Sequence, residues 1–136
     1  MKEELSLEPL EKFNCINIAD CAIGRIEIDI GSQRCSFYLD GAQVLKPGGD
    51  ISDPEQDYEP ARLTFKGVRS ISCPEGKYCL NWLIINWDER RIDGDLWQFS
   101  LEMTGGCDNE TFMRTLVIEA KDVGLGPATV DHEHSI

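Results

Sequence analysis

Apolar and polar residues alternate with a period of two along several short stretches of this chain, and that alternation predicts strands rather than helices. Residues 22–30, AIGRIEIDI, set Ile26, Ile28 and Ile30 on one face and Arg25, Glu27 and Asp29 on the other. After a reversal at Gly31-Ser32-Gln33, Cys35, Phe37 and Leu39 continue the pattern against Arg34, Ser36 and Tyr38, so the two stretches form a hairpin. Residues 61–73, ARLTFKGVRSISC, read as a third strand whose phase breaks at Gly67-Val68, the signature of a β-bulge. The longest patterned stretch, residues 80–103, supplies the central hairpin, with Asp93-Gly94 at its reversal. A two-residue turn there would pair apolar with polar side chains along the ladder. A three-residue loop, Ile92-Asp93-Gly94, instead sets Trp87 opposite Phe99, Ile85 opposite Leu101 and Leu83 opposite Met103, and that register is the one expected. Leu80, Trp82 and Ile84 then project from the other face and need a cover. A sixth strand follows in TFMRTLVIEA, with Phe112, Leu116 and Ile118 toward the core, after the loop TGGCDNE.

The flanks are less regular. Residues 1–14 form an arm with one helical turn, interrupted by Pro9. Residues 126–136 read as a flexible tail, which leaves residues 15–125 as a single β-domain. Residues 47–60, PGGDISDPEQDYEP, hold three Pro, two Gly and five carboxylates and read as the longest loop. The expected fold is all-β, an antiparallel meander of about six strands forming a small sandwich or a partly open barrel.

Composition narrows the function more than the fold. With 136 residues the chain can bury a core without a disulfide or a metal. Its 25 acidic and 13 basic residues give a formal net charge of −12, and no dense basic patch is visible, so nucleic acid is not an expected partner. No run approaches the ~20 apolar residues that span a bilayer and no secretory leader is apparent, so no membrane association and a cytoplasmic location are expected. The six cysteines accordingly read as thiols; Cys73 and Cys79, at the two ends of one turn, are a candidate redox pair. No C-x-x-C occurs, and the acidic loop lacks the calcium-loop pattern, so neither a metal nor another cofactor is expected.

Catalytic chemistry finds little support. His132 and His134, the two histidines, lie in the tail, and there is neither a P-loop nor a G-x-G-x-x-G, so no catalytic residue is assigned and the expectation is not an enzyme. Candidate binding residues are Trp82 and Ile84 on the second face of the hairpin, and Asp53, Asp57 and Tyr58 in the acidic loop.

The succession RIEIDI, SFYLDG, RLTFKGVRSI and LVIEAKDVGL, with F-x-G-V at Phe65-Lys66-Gly67-Val68, resembles short bacterial all-β proteins that include immunity proteins for secreted toxins. The resemblance spans roughly residues 18–125 and implies a β-fold and a protein partner. Taken with the acidity, the reading is a non-enzymatic binding protein that engages a basic protein through its acidic face or loop. Two alternatives stand beside it: a carrier of a small apolar ligand near Trp82 and Ile84, and a structural homodimer joined through the second face of the hairpin.

Overall fold

A computed structural model describes residues 5–7, 15–46, 54–73, 83–107 and 110–128, which form an all-β sandwich of antiparallel strands. Alternation accounts for the core strands directly. In β4 (Arg34–Leu39) and β7 (Ala61–Lys66), Cys35, Phe37, Leu39, Ala61, Leu63 and Phe65 are buried on one face. Facing them are Phe99, Leu101 and Met103 of β10 (Leu96–Cys107) and Leu116, Ile118 and Ala120 of β11 (Glu110–Ala120). The layers meet at Phe65 and Phe99, whose ring centroids lie 5.1 Å apart, with Phe37 edge-on to Phe65 at 5.6 Å.

One sheet has five strands in the order β1 (Leu5–Leu7), β12 (Asp122–Pro127), β7, β4, β3 (Ile23–Asp29). The second has four, β8 (Ser70–Ser72), β11, β10, β9 (Leu83–Asp93). A short third sheet, β2 (Ile16–Asn17), β5 (Ala42–Val44) and β6 (Gln56–Tyr58), closes one end and contributes Ile16, Ala42 and Val44 to the same core.

The two large sheets are linked where the chain passes between them. Gly67, at φ 63°, breaks the expected 61–73 strand into β7 and β8, which belong to different sheets. The expected bulge is therefore a corner, because a left-handed residue cannot continue the ladder. Lys121 makes the second corner between β11 and β12, and its amide donates to the Lys66 carbonyl at 3.0 Å. On the opposite side the Asp20 amide donates to the Ile84 carbonyl at 2.7 Å and the Ile84 amide to the Cys21 carbonyl at 3.0 Å. These contacts hold the start of β9 against the chain entering β3; the described strands close no barrel.

Several sequence expectations are corrected. The central hairpin turns through Gly94-Asp95 between the paired Asp93 and Leu96, and pairs Trp87 with Leu101, Glu89 with Phe99 and Arg91 with Trp97. The turn position and a bulge at Ile92 together move each expected partner on β10 by two residues, which keeps Trp87 on the core side. A second bulge leaves Ile85 unpaired and brings Ile84, not the expected Leu83, opposite Met103. Ile84 is therefore fully buried, whereas Leu83 and Ile85 are exposed. Ile26 packs on the core, but Ile28 and Ile30 are 52% and 87% exposed, because β3 is the last strand of its sheet.

Residues expected in the arm, loop and tail are recruited as strands. Leu5–Leu7 pairs with β12, residues 56–58 pair with β5, and Gly126 and Pro127 belong to β12. Strands β10 and β11 also run into the expected TGGCDNE loop, as far as Cys107 and from Glu110. Among the described residues no helix is long and apolar enough to cross a membrane.

Candidate functional site

The small third sheet gathers acidic side chains from three separated segments. Asp20 sits in a tight turn at φ 61°, a conformation that Asp tolerates better than most residues, and the turn brings Cys21 and Ala22 against Asp40. The Ala22 amide donates to Asp40 Oδ1 at 3.1 Å, and the Asp40 amide donates back to the Ala22 carbonyl at 3.3 Å. The Cys21 thiol donates to the Gly41 carbonyl. Gly41 in turn lies so close to β6 that a Cβ there would meet Glu59 Cγ at 3.4 Å. Beyond it β5 and β6 pair Ala42 with Tyr58, Gln43 with Asp57 and Val44 with Gln56, and the Glu55 amide donates to the Val44 carbonyl at 2.7 Å.

Asp20, Asp40, Glu55, Asp57 and Glu59 are thus brought to one end of the sandwich, and all five are exposed. Residues 15–24, 39–45 and 54–61, which build this end, contain neither Lys nor Arg; Arg25, Lys46 and Arg62 stand at its margins. Among the described residues no three acidic, Cys or His side chains are grouped to hold a metal ion, so the carboxylates form a surface rather than a cage. Tyr58 lies beside them, half-buried and packed against the core, and burial raises its hydroxyl pKa.

A second unusual group is Glu89. It lies on the core side of β9 in step with Trp87 and opposite Phe99, is 8% exposed, and neither carboxylate oxygen has a hydrogen-bond partner. Burial, reinforced by the charge of the adjacent Asp88, pushes its carboxyl up to about 7.

Of the residues singled out from sequence, Asp57 and Tyr58 belong to the acidic end, whereas Ile84 is a core residue with no surface to offer a ligand. Trp82, Asp53 and Cys79 lie outside the described residues; Cys73 is partly buried and packed against the core. Asp20 and Asp40 escaped sequence reasoning because only long-range closure unites them with Asp57. Glu89 carried a readable signal, a carboxylate on the same phase as Leu83, Ile85 and Trp87, the phase expected to face the core.

The chain matches no protein-family model, no curated protein and no solved structure.

Proposed function

We propose that this chain is a non-enzymatic binding protein whose acidic end receives a basic protein, in the manner of an immunity-like partner. The observation that carries this reading is the placement of five exposed carboxylates, from three segments, on an end whose described segments contain neither Lys nor Arg. Charges so arranged act chiefly on encounter: exposed pairs contribute about 1 kcal/mol or less each, but together they accelerate association and orient the partner. Residence then rests on desolvated contacts, for which the half-buried Tyr58 ring is the available aromatic anchor.

The test compares two charge reversals of equal size. Asp57→Lys with Glu59→Lys alters the acidic end, and Asp93→Lys with Asp95→Lys alters the β9–β10 turn. A basic protein that co-purifies with the native chain at low salt should bind the first variant at least about tenfold more weakly and the second nearly as well as the native chain. Equal losses in both would place recognition elsewhere, and binding unaffected by added salt would rule out the electrostatic mechanism. A homodimer is the second reading, favoured by exposed Leu83 and Ile85 on β9. It predicts a solution mass twice that of the chain, lowered by Leu83→Lys.

A further inference from the structure

The outer face of the five-stranded sheet carries a polar recess unrelated to the acidic end. Register places side chains there in rows across β3, β4 and β7: Asp29, Arg34 and Lys66 in one, Glu27, Ser36 and Thr64 in the next, Arg25, Tyr38 and Arg62 in the third. The middle row is short where it crosses Ser36 and Thr64, and the rows beside it carry long cationic side chains. The result is a cavity of about 580 Å³ floored by Ser36 and Thr64 and bordered by Arg34 and Arg62, with Glu27 and Asp29 on the β3 side.

Donors and acceptors in this recess do not balance. Glu27 already accepts from the Tyr38 hydroxyl at 3.0 Å, and Asp29 accepts from the Ser32 amide at 3.3 Å. Arg25 lies over the Tyr38 ring, 4.0 Å from its centroid. By contrast, the side chains of Arg34 and Arg62 make no hydrogen bond or ion pair among the described residues, and the Arg62 Nε is buried with no acceptor. The Ser36 and Thr64 hydroxyls, only 8% and 2% exposed, share one hydrogen bond of 3.0 Å, which leaves one hydroxyl proton unspent between them. A buried guanidinium N–H without an acceptor is costly, and guanidinium groups bordering the recess on either side of a spare hydroxyl offer donors to an oxyanion.

The geometry points to a binding site for a small monocarboxylate with an apolar tail. Guanidinium forks match the two oxygens of a carboxylate, while Glu27 and Asp29 beside them disfavour the second negative charge of a phosphate. Ile30, in the turn after β3 and 87% exposed, borders the same recess and supplies apolar surface on which an alkyl tail rests.

The experiment is a titration of the full chain, followed by amide chemical shifts, with butyrate, acetate and inorganic phosphate as separate probes. Butyrate should give saturable shifts centred on Ser36, Arg62 and Thr64, with affinity of millimolar order and tighter than acetate. Arg62→Gln should weaken butyrate binding about tenfold, with Arg34→Gln as the second variant should the first fail to fold. The site is refuted by non-saturating shifts, by shifts centred elsewhere, or by unchanged affinity in a folded variant. Phosphate binding as tightly as butyrate would overturn the assignment to monocarboxylates.

Discussion

Glu89→Gln should reverse its effect on stability between pH 5 and pH 8. In the native chain both Glu89 oxygens are buried without partners, and burial with the neighbouring Asp88 charge moves the carboxyl from its ordinary 4.5 to about 7. The folded state therefore holds a proton that the unfolded state has released across this interval. Since the folded state binds more protons there, stability falls as pH rises from 4.5 through 7 and levels off above it. At about 1.4 kcal/mol per pH unit, the loss is at most about 3.5 kcal/mol, reduced to about 2 where water reaches the ionised group at this edge strand. Glutamine is neutral throughout, and its amide brings one more unpartnered N–H than the protonated carboxyl does, which costs about 1–2 kcal/mol at any pH. The variant should be the less stable protein at pH 5 and the more stable one at pH 8. Urea unfolding at pH 5, 6, 7 and 8 measures this directly, and subtracting the two curves cancels the titration of every other group. A difference that stays within about 0.5 kcal/mol over the whole range would refute the reasoning, since it would mean that the carboxyl is solvated in the folded state.

Two further predictions concern the corners and the thiols. Gly67→Ala should cost about 2–3 kcal/mol in urea unfolding, because a Cβ at φ 63° is strained and would also meet the Lys121 side chain at 3.1 Å. Lys121→Gly in the same chain should recover the part due to crowding and leave the part due to φ. Burial raises the Cys21 thiol to about 11, with the Asp40 charge adding to it, and the Cys35 thiol to about 12 by burial alone. At pH 8 about one Cys21 in a thousand is thiolate, so a disulfide reagent should modify both residues far more slowly in native protein than in urea. Prompt native-state labelling of Cys35 would contradict the packing of β4 against β10.

What the alternation settles is which face a residue occupies, and it does so only between bulges. On β4, β7 and β10 the inward residues Cys35, Phe37, Leu63, Phe65, Phe99 and Leu101 were legible because no residue is inserted within those runs. On β9 the turn at Gly94-Asp95 and the bulge at Ile92 together raise the sum of partner numbers by two over the expected register, so Trp87 keeps its core face while its partner changes from Phe99 to Leu101. The bulge at Ile85 has the other effect: one extra residue with no compensating insertion exchanges faces, burying Ile84 and exposing Leu83 and Ile85. Periodicity cannot distinguish these outcomes, since backbone bonds from the 20–21 segment hold Ile84 in place and those partners are remote in sequence. The same reasoning covers Ile28 and Ile30, whose phase was readable but whose exposure follows from β3 having no neighbour on its far side in the sheet. It covers the acidic end as well: composition exposed the acidity of residues 55–59, but Asp20 and Asp40 reach it only through pairings made across the chain. Long-range closure therefore determines the functional surfaces of this small sandwich, whereas local alternation determines its core.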